Sequence, residues 1–296
     1  MNKIHVLEIR IDPQWLEAVA NRCFEIGFTG VETFEEDSLG CIRTYCNTKT
    51  EAKELAKKIK EYLSNLSKLW PKSPPFHISI GLIENDDWAN AWKASFKPTE
   101  IIENLVVRPS WELYVPKKQE IVITIDPKMA FGTGKHETTT LALEAIKRFH
   151  ENFDFDDSML LDIGCGTGIL GLAANYMGFP RTLGIDIDPE AINCAVENAK
   201  MNRLADRSIF VNTSIEHVAG LFDFIVANID AQTLIAIAPE IQRVFSEAGC
   251  VALTGILETQ SQMVEDAYQK SGFCTTDYYQ RGEWVLLEME LETEDS

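Results

Sequence analysis

The segment Leu160-Leu161-Asp162-Ile163-Gly164-Cys165-Gly166-Thr167-Gly168-Ile169 runs an apolar strand into a glycine turn and then a helix start. Glycines at such a turn let backbone N–H groups come close to a ligand. The spacing is Asp-x-Gly-x-Gly-x-Gly. It is not the Gly-x-Gly-x-x-Gly of a dinucleotide site, because Ile169 stands where the last glycine would fall. Asp186 follows Gly164 by 22 residues and closes a second apolar strand, Thr182-Leu183-Gly184-Ile185. There a carboxylate can hold two ribose hydroxyls. Strand, turn, helix, strand and acid together describe an adenosine pocket without a pyrophosphate, and S-adenosylmethionine fits that description best.

Two further segments carry candidate chemistry. Ala227-Asn228-Ile229-Asp230 ends the fourth strand of an alternating series, and in an open α/β sheet the ligand crevice lies outside such strand ends. The Asn228 side chain offers an acceptor and two donors, suited to a nucleophilic amine or to the donor's amino acid moiety; capping of the next turn is the other reading. Upstream, Phe131-Gly132-Thr133-Gly134-Lys135-His136-Glu137-Thr138-Thr139-Thr140 sets two glycines beside an aromatic and then opens a helix. Thr138 and Thr139 can turn hydroxyls and N–H groups toward a carboxylate at that helix start. Gly-x-x-x-x-Gly-Lys-Ser/Thr is not matched, which disfavours ATP. His136 is a possible base, although a lone histidine beside a loop is more often structural. The cysteines show no C-x-x-C pair and no zinc spacing, so no metal is expected.

The elements that must place these residues fall into two groups. Ile4–Ile9 alternates as a strand, and Asp12-Pro13 opens a helix with Leu16, Val19, Ala20 and Cys23 on one face. Strands over 28–34 and 41–46 flank an acidic turn, a second amphipathic helix carries Ala52, Leu55, Ile59 and Leu63, and a strand covers 76–83. The order β-α-β-β-α-β predicts a ferredoxin-like α+β domain over 1–83. A connector over 84–125 follows, with a short helix bearing Trp88 and Trp92 and strand-like pieces at 101–107, 112–115 and 121–125. From 126 to 291 strands and helices alternate, which predicts a parallel α/β sheet covered on both faces. Residues 292–296 form an acidic tail.

Composition narrows the function classes. The 296 residues carry a formal charge of −19. Residues 1–83 hold 11 basic and 11 acidic side chains, so the remainder, with 16 against 35, carries the entire excess. Such a body repels phosphate backbones and attracts basic partners, or serves solubility alone. No direct grip on nucleic acid is expected. No apolar run approaches the roughly 20 residues of a membrane helix, and the N-terminus reads as a strand rather than a signal peptide. Seven scattered cysteines, an odd number, are consistent with reduced thiols and a cytoplasmic location.

Four strings, Phe131-Gly132-Thr133-Gly134-x-His136-x-Thr138-Thr139, Asp162-x-Gly164-Cys165-Gly166-x-Gly168-Ile169-Leu170, Gly184-Ile185-Asp186-Ile187-Asp188-Pro189 and Ala227-Asn228-Ile229, resemble the ribosomal protein L11 methyltransferase family in family order. So do Trp88-x-x-x-Trp92-Lys93 and Arg108-Pro109-Ser110-Trp111. The resemblance implies a Rossmann-like class I methyltransferase domain and S-adenosyl-L-methionine as cofactor. It implies a leading domain that recognises large-subunit ribosomal protein L11 free before assembly, and methylation of lysine side chains and the N-terminal α-amine. Carried over by motif, donor contacts fall on Thr139, Gly164, Asp186 and Asn228, with Gly166, Phe131 and Thr138 beside them. Asn228 would position the amine, with no dedicated base. The chain departs from the family pattern at Asp230, usually aliphatic, at Glu137, often proline, and in its acidic tail; Asp230 also reads as a helix N-cap. A same-fold methyltransferase for another basic protein or a small molecule, and a non-catalytic adenosine-binding module, are the competing readings.

Overall fold

A computed structural model describes residues 3–26, 31–36, 38–46, 48–69, 76–84, 96–126, 136–152 and 157–292. The chain divides into two compact units, Met1–Ser95 and Phe96–Ser296. In the first, β1 (Lys3–Ile11), α1 (Leu16–Glu25), β2 (Glu32–Glu36), β3 (Leu39–Cys46), α2 (Lys49–Leu69) and β4 (His77–Glu84) follow one another. The four strands pair antiparallel in the order β2-β3-β1-β4. Alternation in β1 sends Leu7, Ile9 and Ile11 to one side, where they meet Val19 and Cys23 of α1 and Ala52, Leu55, Ile59 and Leu63 of α2. Asp12 accepts the Gln14 N–H at 3.2 Å and starts the turn that leads into α1.

The second unit opens with β5 (Thr99–Ile102), β6 (Leu105–Arg108) and β7 (Ile121–Thr124), a small sheet in that order. This corrects three expectations. The piece at 101–107 is two strands around Asn104, which takes φ 63°. Residues 112–115 form no strand; the Arg108 guanidinium instead donates to the Glu112 carbonyl at 2.8 Å and holds the segment as a loop. Finally, of the expected connector over 84–125, the part from Phe96 onward groups with the second unit, where the buried Asn202 amide bonds Thr124. The connector helix expected around Trp88 and Trp92 lies outside the described residues.

The large sheet has seven strands: β8 (Met159–Ile163), β9 (Arg181–Asp186), β10 (Ser208–Asn212), β11 (Phe222–Asn228), β12 (Phe245–Leu257), β13 (Phe273–Arg281) and β14 (Trp284–Leu291). Their spatial order is β10-β9-β8-β11-β12-β14-β13. The first five strands in that order pair parallel, whereas β14 pairs antiparallel with both β12 and β13, so the sheet is mixed rather than wholly parallel. The reason is the short link: two residues, Gly282 and Glu283, join β13 to β14, and only a hairpin fits so short a connection. Helices α3 (Glu137–Asn152), α4 (Ile169–Met177) and α5 (Pro189–Met201) contribute to the core on one face, and α6 (Ala231–Val244) and α7 (Ser261–Lys270) to the core on the other. Among the described residues no helix is long and apolar enough to cross a membrane.

Candidate active site

The chain leaves β8 toward β9 on one side and leaves β11 toward β12 on the other. The two connections part there, and a crevice opens at the carboxyl ends of these neighbouring strands. Beyond β8, Gly164, Gly166 and Gly168 take φ of 71°, 54° and 79°, the left-handed region that favours glycine. The N–H groups of Gly164 and Cys165 both donate to the Ile185 carbonyl, at 2.9 and 3.0 Å, and bind the turn to β9. Two of these glycines also make room. A Cβ on Gly164 would overlap the Ile229 side chain, and one on Gly168 would lie 2.7 Å from the Phe210 ring.

Asp186 ends β9 with its carboxylate already aimed. Gly166 N–H donates to Oδ2 at 3.0 Å and Asp188 N–H to Oδ1 at 2.9 Å. Each oxygen accepts one of these backbone bonds and keeps lone-pair capacity for a ligand hydroxyl. Asp188 next caps α5, accepting the Glu190 N–H at 2.9 Å.

Across the crevice, β11 ends at Asn228, whose amide makes no hydrogen bond to a described residue and borders the cavity. Ile229 is gripped from two sides: its N–H donates to the Thr254 carbonyl at 3.2 Å, and its backbone fills the space a Cβ on Gly255 would need. Asp230 caps α6 through the N–H groups of Gln232 and Thr233, at 3.1 and 3.0 Å, and the Thr233 hydroxyl at 2.6 Å. Burial works against its charge, but these bonds together hold its carboxyl below the usual range. Asp230 is thus the N-cap that the sequence offered, and it also lines the cavity.

The third wall is the start of α3. Thr138 lines the cavity, while Thr139 lies buried with its Oγ1 unpartnered among the described residues. His136 Nδ1 lies 2.7 Å from the Thr138 hydroxyl and accepts the Thr138 N–H at 3.3 Å, so the neutral ring carries its proton on Nε2. Burial lowers its pKa, and Trp284 of β14 meets its ring edge at 4.9 Å between centroids. A ring with Nδ1 so engaged is poorly placed to take a proton there.

Together these elements enclose a cavity of about 780 Å³. The structure brings Gly164, Gly166, Asp186, Asn228 and Thr138 to its lining. Thr139 sits beside it, and Phe131 lies outside the described residues. The sequence reading missed Thr213, Ser214, Ile215 and Glu216, which follow β10 and supply another wall, and it missed Trp284. The former were within reach of the strand-end rule already applied to Asn228. The latter needed the antiparallel hairpin, which periodicity does not reveal.

The lining chemistry is one-sided. Asp186, Asp188, Glu216 and Asp230 are its carboxylates, and no lysine or arginine stands among the described lining residues. Ile163, Ile185 and Ile215 add apolar surface for a base. Such a pocket opposes a triphosphate and suits a nucleoside that carries positive charge. Fully buried under the turn, Asp162 accepts the Gly171 N–H at 3.3 Å, and burial, reinforced by Asp186, pushes its carboxyl up to about 7.

Comparison with known proteins shows the family of the chain. A family model described as ribosomal protein L11 methyltransferase (PrmA) matches residues 7–292. The ribosomal protein L11 methyltransferase of a Geobacter species is 37% identical over 243 residues, 80% of this chain and 78% of the relative. That of Syntrophotalea carbinolica is 33% identical over 296 residues, 95% of this chain and 96% of the relative. The crystal structure of a ribosomal protein L11 methylase from Lactobacillus delbrueckii subsp. bulgaricus is similar at TM-score 0.62 and 32% identity, covering 67% of this chain and all of that one. The chain therefore belongs to the ribosomal protein L11 methyltransferase family.

Proposed function

We propose that this chain transfers methyl groups from S-adenosylmethionine to amines of ribosomal protein L11, the lysine side chains and the N-terminal α-amine. The observation that carries the reading is the lining itself: four carboxylates and no lysine or arginine among the described lining residues, grouped around a glycine turn. When bound, the cofactor supplies an electrophilic methyl group on a sulfonium. The chain's own residues supply position and environment. Asp186 holds the ribose hydroxyls with a carboxylate fixed by two backbone N–H groups. Thr139, in the first turn of α3, offers to a carboxylate the hydroxyl that has no partner among the described residues, while the N–H and hydroxyl of Thr138 are engaged by His136.

Asn228 Oδ1 accepts an N–H of the incoming amine and turns its lone pair toward the methyl group, so that much of the rate comes from alignment. A lysine near pKa ~10.4 needs about 5 kcal/mol to lose its proton at neutral pH. The apolar walls lower that cost by disfavouring the ammonium, while the acidic rim draws the ammonium in. The proton passes to water, and His136 is not needed as a base. An α-amine, near pKa ~8, needs only about 1 kcal/mol.

The leading unit serves as the recognition element, with L11 met free rather than on the assembled ribosome. The acidic excess of the second unit disfavours ribosomal RNA, which supports the free protein as substrate; a cytoplasmic location follows from such a substrate. Radiolabelled donor, offered in parallel to free L11 and to intact large subunits, tests the reading. Label is expected in free L11, on amines identified by mass mapping. No label in L11, with transfer to another basic protein, would redirect the substrate and leave the reaction standing.

A further inference from the structure

We propose that Asn198 is a positioning residue that couples the end of β7 to the glycine turn, and thereby sets how tightly the donor is held. The inference rests on the donor occupying the cavity described above. Asn198 projects from α5 and is fully buried. Its Oδ1 accepts the N–H of Asp126 at 3.0 Å, and its Nδ2 donates to the carbonyl of Thr167 at 2.9 Å. One planar amide thus spans two segments far apart in sequence. Thr167 lies inside the glycine turn, between the Gly166 whose N–H fixes Asp186 and the Gly168 that starts α4.

Asp126 is likewise a junction. Its carboxylate receives the Ser110 N–H and hydroxyl, both at 2.7 Å, and its carbonyl accepts from the Cys194 thiol at 3.3 Å. Held on three sides, the backbone at Asp126 forms a fixed post, and Asn198 ties the turn to it. A buried amide left half-bonded is costly, so the turn has little freedom to move away from the post. The Thr167 carbonyl, directed at Asn198, fixes the peptide plane that leads into the Gly168 N–H.

Asn202, the residue that caps the end of α5, provides an internal comparison. It is also buried and also makes two bonds across the fold, accepting the Thr124 N–H at 2.8 Å and donating to the Thr124 carbonyl at 2.6 Å. Both of these bonds reach only β7, and neither touches the turn. If the two amides were merely structural, their removal would act alike. If Asn198 positions the turn, only its loss changes donor affinity.

The experiment titrates S-adenosylhomocysteine into wild-type, Asn198→Ala and Asn202→Ala proteins by calorimetry. Thermal unfolding and the KM for the protein substrate are measured alongside. The expected result is a roughly tenfold higher Kd for Asn198→Ala with the substrate KM within about twofold of wild type. Asn202→Ala is expected to lose thermal stability while its Kd stays within about twofold. Equal Kd values for Asn198→Ala and wild type overturn the proposal, as does an equal rise in both variants. Should Asn198→Ala fail to fold, Asn198→Ser, which keeps one hydrogen-bonding group, is judged on the same readout. A wild-type protein that binds no S-adenosylhomocysteine refutes the functional reading itself, a result distinct from any difference between variants.

Discussion

At Gly164 a methyl group has nowhere to go, because the Ile229 side chain already occupies the space where a Cβ would stand. That contact explains why the glycine turn and Asn228 belong to one site, since the residue after Asn228 is wedged against the turn. It fixes where Asn228 can reach, and Asn228→Ala is expected to lower kcat about 10- to 100-fold at saturating donor with unchanged thermal stability; steady-state transfer of labelled methyl checks it. Asp162 gives a pH signature. Its folded-state pKa is raised, so the stability it contributes is fully present below its unfolded value near 4 and is lost as pH rises through about 7. Relative to Asp162→Asn, which keeps an acceptor for Gly171 N–H, the native chain should weaken between these values by up to about 4 kcal/mol, measured by urea unfolding. The glycines, Asp186 and Asn228 were legible because their chemistry depends on local spacing and strand ends. Asn198 was not: an asparagine at helical spacing beside Ala195 and Ala199 reads as one more helix position until the strand it holds is seen.

Among the elements, the crossovers did most to place the site, and their strands and helices were visible as apolar periodicity. The hairpin of β13 and β14 was not foreseen as antiparallel, because alternation within a strand is the same in either direction. It is pinned to α3 by Arg148, whose Nε donates to Glu288 at 3.1 Å and whose guanidinium stacks over Tyr279 at 3.6 Å. Such a pair, separated by most of the catalytic unit in sequence, leaves no local mark. The cap of α6 was readable from Asp230 and Ala231 alone. Removing it in Asp230→Ala should cost about 1 kcal/mol of stability. The stability it adds is present above the unfolded carboxyl pKa and lost as pH falls through the lower folded value. The difference between the two chains is therefore expected at neutral pH and should fade in acid, as thermal melts at the two pH values would show.

Over the whole molecule, charge and connectivity set behaviour that no single residue reveals. The acidic excess of residues 84–296 should draw a basic substrate at a distance, so raising salt from about 0.05 to 0.3 M should increase the KM for the protein substrate several-fold. The Kd for S-adenosylhomocysteine, set by contacts inside the cavity, should move by less than about twofold. The division into two units does not coincide with the boundaries read from the chain, because 84–125 read as a connector, whereas from Phe96 onward the chain groups with the second unit, where Asn202 bonds Thr124. The lining of the cavity runs from His136 to Trp284, so a complete wall exists only after the residue that precedes α3 and the last strand of the large sheet have met. Such distant pairings form late on the route from the disordered chain. Nucleoside added to refolding mixtures should then leave the folding rate unchanged and slow only the reverse process. Stopped-flow dilution from denaturant, with and without S-adenosylhomocysteine, would show this: a ligand that recognises the finished molecule guards it against opening and gives no help in building it.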